Sequence, residues 1–299
     1  MSILFGGIEA GGTKFVCVLG TDPENILFEK RFPTTSPEET IQFTIDFFQE
    51  KKNEFGFEIA SIGLGCFGPV DLNLYSKKYG YITTTPKPGW SDIDIVRPIE
   101  YALKVPIIFD TDVNAAAIGE GKWGAGKNLE NFVYFTIGTG IGAGAIINHQ
   151  PVHGLIHPEM GHILLVKNPL DRYKGKCPYH ANCFEGFASG PAIEDRWGTS
   201  AASLPPTHPA WDMEADYIAQ ALCNIICTLS PQKIILGGGV MQQFHLFQKI
   251  RQKTKDYLNG YIPADIILEN IDEYIVPPKL GNKAGMLGAI AMAQSINKD

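Results

Sequence analysis

Two carboxylates at the end of an apolar run have the residue type and spacing needed to accept a proton from an alcohol. Asp110 and Asp112 flank Thr111, directly after the run from Val105 to Phe109. Phosphoryl transfer to an alcohol needs a carboxylate within hydrogen-bond reach of the attacking hydroxyl, together with neutralisation of the phosphate charge. Asp112 is therefore our candidate for the base. Either aspartate could instead cap the helix that begins near Asn114.

Glycine turns that follow apolar runs could bind the phosphates of a nucleotide. Glycines let the backbone approach phosphate oxygens closely, and the backbone N–H groups supply donors. The first two turns lead into strands, so neither is a P-loop or a Rossmann fingerprint. Each could be only a hairpin turn, but three such turns favour a phosphate site. The predicted phosphate-binding residues are Gly11, Gly12, Thr13 and Lys14, then Gly138, Thr139 and Gly140, and finally Gly237, Gly238 and Gly239.

The residue just before the first glycine turn could bring a metal ion to these phosphates. Glu9 ends the apolar run that starts at Ile3. Mg²⁺ is a hard cation that takes oxygen ligands, so this carboxylate could hold it directly or through water. Glu9 is therefore a candidate magnesium ligand.

Two histidines and two cysteines have a spacing typical of a zinc site. His162, Cys177, His180 and Cys183 form the pattern His-x14-Cys-x2-His-x2-Cys. Two thiolates and two imidazoles suit tetrahedral Zn²⁺, and four protein ligands close the site, so the ion would be structural. The alternative is a pair of free thiols beside surface histidines. The other four cysteines lie among apolar residues and are predicted to be buried: Cys17, Cys66, Cys223 and Cys227.

Two glutamates bracket the Cys/His cluster. Glu159 lies just before His162, and Glu185 lies just after Cys183. Carboxylates accept hydrogen bonds from sugar hydroxyls, so we expect zinc to hold both against a polyhydroxylated ligand. Taken singly, each could equally be a solvated surface residue. Trp90 could form an aromatic wall for that sugar, or lie in the core or in an interface.

The elements that position these residues alternate between strands and helices. Strands alternating with helices predict an α/β sheet whose ligands gather where strands end. A strand, a glycine turn and a second strand occur at 3–19 and again at 132–147, which suggests an internal duplication. The irregular stretch at about 149–212 is rich in Pro, His and Gly, and so long a segment is usually functional.

Composition excludes several classes of protein. The 299 residues are 44% hydrophobic and 19% charged, as in an ordinary globular protein. The net charge is −7 and no Lys/Arg-rich block occurs, which disfavours a nucleic-acid partner. No apolar run approaches the ~20 residues of a membrane span, and no signal-like segment opens the chain. We expect a cytoplasmic enzyme.

Three motifs give the chain a resemblance to the ROK family of sugar kinases and repressors. The sequence from Gly7 to Lys14 resembles the family's first phosphate motif, with Glu9 where Asp is usual. Pro158 to His162 resembles its Glu-x-Gly-His signature, and Cys183-Phe184-Glu185 its closing Cys-x-Glu. Between them, the usual Cys-x-Cys-Gly-x-x-Gly-Cys is replaced by a sequence in which His180 substitutes for one thiolate.

The resemblance implies a two-lobed, actin-like, hexokinase-type (ribonuclease H-like) fold with a zinc-binding loop. We expect an N-terminal lobe at 1–118, completed by a C-terminal helix at about 283–299, and a C-terminal lobe at 119–282. The resemblance also implies ATP, Mg²⁺, a homodimer, and Asp112 as the base for a hexose 6-hydroxyl. The expected sugar contacts are Gly68, Pro69, Thr111, Asp112, Glu159, His162 and Glu185, and the expected additional nucleotide contacts are Gly190 and Pro191.

Substrate preference follows from the residue before the base. Glucose-specific relatives commonly have Asn there, whereas this chain has Thr111. The stretches 79–87 and 110–114 look most like the fructokinase branch, so fructose is preferred, with mannose and glucose as alternatives. A sugar sensor without catalysis and an actin-like ATPase are alternatives of other classes. Only Met1 to Gly6 precede the first motif, where family repressors carry a helix-turn-helix segment, which disfavours DNA binding.

Overall fold

Each predicted strand–glycine turn–strand unit forms an antiparallel hairpin in the computed structural model, which describes residues 3–295. The strands are β1 (Ile3–Ala10), β2 (Lys14–Gly20), β3 (Ile26–Pro33), β4 (Glu58–Cys66), β5 (Tyr81–Ile82), β6 (Ile93–Asp94), β7 (Ile107–Thr111), β8 (Phe132–Ile137), β9 (Ile141–Ile147), β10 (Gln150–Pro151), β11 (Lys233–Gly237) and β12 (Ile275–Val276). The α-helices are α1 (Pro37–Phe55), α2 (Val96–Leu103), α3 (Asp112–Trp123), α4 (Phe184–Ala188), α5 (Gly190–Trp197), α6 (Ala210–Leu229), α7 (His245–Leu258), α8 (Asp265–Leu268), α9 (Ile271–Tyr274) and α10 (Ala284–Ala293). The predicted α/β class is confirmed.

The chain divides into two units. Of the described residues, the first comprises 3–128, 151–158 and 283–295, and the second comprises 129–150 and 159–282. The expected boundary after residue 118 falls inside α3, a continuous hydrogen-bonded helix that belongs wholly to the first unit. Residues 1–2 and 296–299 of the expected N-terminal lobe lie outside the described residues.

The sheet of the first unit brings three strand ends to one edge. Its order is β3-β2-β1-β4-β7, and β4 runs parallel to both β1 and β7. The register pairs Glu9 with Gly65, and Gly65 with Asp110. Because parallel strands end at the same edge, the candidate magnesium ligand and the aspartate pair lie along one side of this sheet.

The last helix packs into the first unit. α10 lies against α3, β1 and β4. Its approach to α3 requires glycine at 288, because a Cβ there would lie 1.7 Å from the carbonyl oxygen of Ala115. The Ser61 hydroxyl donates to the carbonyl of Ala293 at 2.7 Å and fixes the far end of the helix. α10, although it comes late in the sequence, is therefore part of the core of the first unit.

The second unit repeats the strand pattern of the first. Its sheet has the order β10-β9-β8-β11-β12. β8 is antiparallel to β9 and parallel to β11, just as β1 is antiparallel to β2 and parallel to β4. The second and third glycine turns therefore follow neighbouring parallel strands.

Trp90 lies in the core of the first unit. It is 0% exposed, and its ring centroid lies 5.7 Å from that of Phe15 and 5.5 Å from that of Phe67. Its indole N–H donates to the carbonyl of Thr35 at 2.9 Å. Such burial leaves no surface for a sugar or a partner, so the core interpretation holds.

The cysteines outside the Cys/His cluster do not share one environment. Cys17 and Cys66 are buried as predicted, Cys223 is half-buried, and Cys227 is exposed. The prediction for Cys227 was wrong because successive residues of a helix point about 100° apart, so buried Ile226 says little about its neighbour. Among the described residues, no helix combines the length and apolar character required to cross a membrane.

Candidate active site

The first glycine turn presents backbone and side-chain donors at the surface. The Gly11 N–H donates to the carbonyl of Lys14 at 3.0 Å and closes the turn between β1 and β2. Thr13 and Lys14 are exposed, and open space surrounds the position that a Cβ on Gly12 would take. The turn can therefore be approached by an anion such as a phosphate.

Glu9 is half-buried against the start of α10. A Cβ at Gly285 would lie 2.6 Å from the carboxyl carbon of Glu9, so glycine there makes room for it. A backbone hydrogen bond from Met286 reaches the carboxylate, yet burial and then the negative charge of Asp112 raise the pKa of Glu9 to about 7. A bound cation would offset both effects, so this oxygen ligand fits Mg²⁺.

β7 passes directly into α3 at the aspartate pair. Thr111 is the N-cap, because its hydroxyl oxygen accepts from the backbone N–H of Asn114 at 3.1 Å. Asp112 is the first helical residue, and its Oδ1 accepts from the N–H of Val113 at 2.9 Å. The alternative role of either aspartate as helix cap is therefore wrong.

The environment of Asp112 suits a base. Although the residue is only half-buried, desolvation of its carboxylate raises its pKa to about 6. A carboxylate with this pKa is ionised at neutral pH and takes up a proton more readily than an ordinary aspartate. Glu9 feels the charge of Asp112, which places the two carboxylates within electrostatic reach of each other.

Asp110 is buried, whereas Asp112 is half-buried. Its Oδ1 accepts from the N–H of Thr111 and from the side-chain amide of Asn114, both at 2.7 Å. Its Oδ2 lies 3.0 Å from Nε2 of His153. Three donors therefore surround a carboxylate two residues before the candidate base.

Gly68 and Pro69 follow β4, joined by a cis peptide bond. The next backbone N–H, that of Val70, donates to Nε2 of His157 at 3.0 Å. Sequence reasoning missed both His153 and His157. The signal was two histidines four residues apart, immediately before the Glu-x-Gly-His motif.

Three of the predicted nucleotide segments meet in the second unit. Gly190 donates its N–H to the carbonyl of Gly138 at 2.7 Å, and a Cβ on Gly138 would lie 3.6 Å from the N of Gly239. Gly238 has φ +93°, a backbone conformation that residues other than glycine rarely adopt. Thr139 is exposed at the tip of the β8–β9 turn.

The short segments around Gly190 and Gly237 carry the remaining predicted nucleotide contacts. Pro191 is the second residue of α5, whose N-cap Ser189 accepts from the N–H of Ala192. Gly237 ends β11, and a Cβ there would meet the hydroxyl of Tyr134 at 2.6 Å. Both lie close in the chain to residues that contact Gly138, since Pro191 follows Gly190 and Gly237 lies two residues before Gly239.

The start of β9 contacts one predicted sugar-binding glutamate, Glu185, and the 3₁₀ turn that follows the other, Glu159. Oε2 of Glu185 accepts from the N–H of Ile141 at 2.9 Å and lies beside Gly140. Glu159 precedes a single 3₁₀ turn at Met160–His162, where a Cβ on Gly161 would lie 1.8 Å from the carbonyl oxygen of Ile141. The residues at the end of the second glycine turn therefore contact both the helix that carries Glu185 and the 3₁₀ turn that follows Glu159.

The four predicted zinc ligands converge. One ligand atom from each of His162, Cys177, His180 and Cys183 lies within 4.8 Å of all the others. Nδ1 of His162 is 3.8 Å from the sulfur of Cys177 and 3.6 Å from that of Cys183, and Nδ1 of His180 is 3.7 Å from Cys177 Sγ. Tetrahedral zinc with bonds of about 2.3 Å to sulfur and 2.0–2.1 Å to nitrogen would separate such atoms by about 3.5 Å, so the donor set fits Zn²⁺.

Backbone hydrogen bonds hold this cluster together. Phe184 donates to the carbonyl of Ile163 at 2.9 Å, and Lys176 donates to that of Gly186 at 2.8 Å. The sulfur of Cys183 accepts from the N–H of Gly186 at 3.3 Å at the start of α4. The same short helix carries Glu185, so the position of the cluster determines the position of that carboxylate.

Known proteins resemble this chain over almost its whole length. A family model described as the ROK family matches residues 5–296. A relative from Pediococcus pentosaceus named fructokinase is 44% identical and covers 99% of this chain and 100% of its own length. A Streptococcus mutans fructokinase is 43% identical, covering 99% of each chain. Among solved structures, a ROK hexokinase from Thermus thermophilus is 26% identical with a TM-score of 0.80, and the similarity covers 99% of both chains.

Proposed function

The chain belongs to the ROK family, and we propose that it is a fructokinase that transfers the γ-phosphoryl group of ATP to the 6-hydroxyl of D-fructose. The observation that carries this proposal is identity of 43–44% to relatives named fructokinase over 99% of the chain. The actin-like, hexokinase-type fold predicted from the sequence is confirmed by the ROK hexokinase structure. ATP and Mg²⁺ are the cosubstrate and cofactor of such a kinase.

Asp112 is the proposed catalytic base. The 6-hydroxyl oxygen forms a bond to the γ-phosphorus, the bond from that phosphorus to the β–γ bridging oxygen breaks, and ADP leaves. The hydroxyl proton passes to the Asp112 carboxylate. The pKa of about 6 supports this role, because the carboxylate is ionised before the reaction and basic enough to accept the proton.

The remaining proposed roles in the first unit concern charge. Glu9 would hold Mg²⁺, which neutralises negative charge on the phosphates when bound. Gly12, Thr13 and Lys14 donate hydrogen bonds to phosphate oxygens, and Gly11, whose own N–H closes the turn, lines the same phosphate site. Gly68, Pro69 and Thr111 contact the sugar beside Asp112.

In the second unit we assign the nucleotide to the joined glycine segments and the sugar to the glutamates. The nucleotide residues are Gly138, Thr139, Gly140, Gly190, Pro191, Gly237, Gly238 and Gly239. Glu159, His162 and Glu185 accept or donate hydrogen bonds to fructose hydroxyls. His162, Cys177, His180 and Cys183 would hold a structural Zn²⁺, which cross-links the loop that carries Glu185.

The family resemblance supports three further proposals. We propose that the enzyme acts as a homodimer in the cytoplasm and without a nucleic-acid partner. The net charge of −7 supports the last of these, since a polyanion would be repelled.

A hexose panel tests the proposed function. ADP release is measured by coupled assay with ATP, Mg²⁺ and fructose, mannose or glucose. We expect turnover to depend on the sugar and fructose to have the highest kcat/KM. Mannose or glucose in first place would correct the substrate within the same enzyme class. ATP hydrolysis that ignores the sugar would instead identify an ATPase, and sugar binding without ADP release a sensor.

A further inference from the structure

Residues Pro151–Pro158, here called the return segment, leave the second unit and pack with the first. Two histidines of this segment contact the two substrate-binding elements proposed for the first unit. Nε2 of His153 lies 3.0 Å from the buried carboxylate of Asp110. Nε2 of His157 accepts from the N–H of Val70, directly after Gly68–Pro69, at 3.0 Å.

The partners of the two histidines determine which nitrogen carries a proton. An amide N–H can only donate, so Nε2 of His157 must be unprotonated, and its other nitrogen bonds the backbone of Pro158. The Asp110 carboxylate already accepts from two other N–H donors, so Nε2 of His153 is assigned the proton that faces it. One histidine acts as acceptor and the other as donor.

Burial and charge support this assignment. Desolvation lowers the pKa of buried His157 and keeps it neutral. The hydrogen bond to Asp110 raises the pKa of His153, so the pair gains ionic character. Within residues 3–295, the titratable groups shown to interact with His153 are Asp110 and His157, and the side-chain nitrogen of Asn114 lies 3.4 Å from Nε2 of His153.

Each contact bears on the position of a proposed substrate-binding residue. Asp110 accepts from Thr111 and Asn114, the residues on either side of the base, so moving its carboxylate would move the base turn. A Cβ on Gly68 would lie 3.4 Å from Cε1 of His157, so this imidazole borders the Gly68–Pro69 turn.

We propose that His153 and His157 are positioning residues that fix Asp110–Asp112 and Gly68–Val70 for the sugar, and not for the nucleotide. The inference rests on the proposed sugar kinase activity. Its consequence is selective, because weakening either contact should impair the use of sugar while leaving the use of ATP unchanged.

Two variants of His153 separate hydrogen bonding from volume. His153→Gln retains an N–H donor, whereas His153→Met has a similar length without one. We expect His153→Met to lower kcat/KM for fructose about tenfold, with the KM for ATP within about twofold of wild type. His153→Gln should recover most of the loss. The control is His149→Gln, since His149 is exposed and lies 3.8 Å from Glu130.

The same logic applies to His157. His157→Gln keeps an acceptor for the Val70 N–H, and His157→Leu leaves that donor unpaired. The Leu variant should lose the larger part of the fructose affinity. Fructose binding is also measured by calorimetry well below each variant's Tm, so that a partial loss of stability does not obscure the result.

Two results would overturn the positioning role. In the first, His153→Met keeps fructose kinetics and affinity within about twofold of wild type. In the second, sugar and ATP parameters fall together in His153→Met and His153→Gln alike, as a general structural defect would cause. Wild-type protein that phosphorylates no hexose would reject the proposed function instead, and it is tested first.

Discussion

The carboxylates of the first unit and the Cys/His cluster of the second are built on opposite principles. Glu9 and Asp112 are held where burial raises the pKa of each, to about 7 and about 6. The cluster instead gathers four mutually compatible ligands, supported by backbone hydrogen bonds. The carboxylates of the first unit carry negative charge in an environment that disfavours it, which suits a reaction that consumes or neutralises that charge. The Cys/His cluster of the second unit instead supports the surrounding structure. Removing a group should therefore cost activity in the first region and stability in the second.

The largest expected effect is that of Asp112→Asn on turnover. Loss of the base should lower kcat by about 10²–10⁴-fold, the usual contribution of a positioned general base. Coupled ADP release with saturating fructose and ATP measures it. Asp212→Asn is the matched control, because Asp212 is exposed and pairs with Lys249. Turnover near the wild-type value in Asp112→Asn would remove the residue from this role.

Cys183→Ser should mainly reduce the stability of the protein, whereas Asp112→Asn mainly reduces turnover. The zinc content measured by metal analysis should fall from about one ion per chain to none, because one of four ligands is lost. The free energy of unfolding should decrease by several kcal/mol, which lowers Tm by about 10 °C, and the affinity for fructose should decrease as well. Exposed Cys227→Ser is the control. Active wild-type protein without zinc would show that the cluster is not a metal site.

The pH dependence of activity follows from the ionisation of Asp112. The base must be ionised, so kcat/KM for fructose should fall about tenfold per pH unit below about 6. A profile from about pH 5 to about pH 8.5 at saturating ATP measures this. No decline on the acid side would contradict the assignment of the base.

The smallest expected effect is on stability, and it has the opposite sign to the effect on activity. Since folding raises the pKa of Asp112 from 3.8 to about 6, the neutral form stabilises the protein below pH 3.8, and that contribution is lost as pH rises through about 6. Asp112→Asn stays neutral, so its Tm should exceed the wild-type value at pH 8 by a few degrees. The two Tm values should converge below about pH 4. A lower Tm for the variant at pH 8 would mean that Asp112 contributes to stability.

Much of the site could be predicted because local sequence determines it. Glycine turns after apolar strands and the short Cys-x2-His-x2-Cys loop each depend on residues close in the chain. Thr111 as N-cap is also a local property, but the two neighbouring aspartates offer the same capping chemistry, so the sequence alone does not single out Thr111.

The contacts missed from the sequence join distant residues. His153 meets Asp110 across 43 positions, and His157 meets Val70 across 87. No periodicity records such a pairing, because it depends on where the return segment packs. The burial of Trp90 and the exposure of Cys227 have the same origin, since apolar neighbours in sequence do not determine which face a side chain takes.

The position of α10 constrains the order in which the chain folds during synthesis. β7 ends at Thr111, but α10, which packs against the adjoining β4 and α3, begins only at Ala284. At about 5–20 residues per second, a ribosome needs roughly 10–35 s to make the intervening chain. Over that time Ala115 and Gly63 lack the backbone that covers them in the finished protein. The second unit, whose residues all precede α10, can therefore be completed before the first.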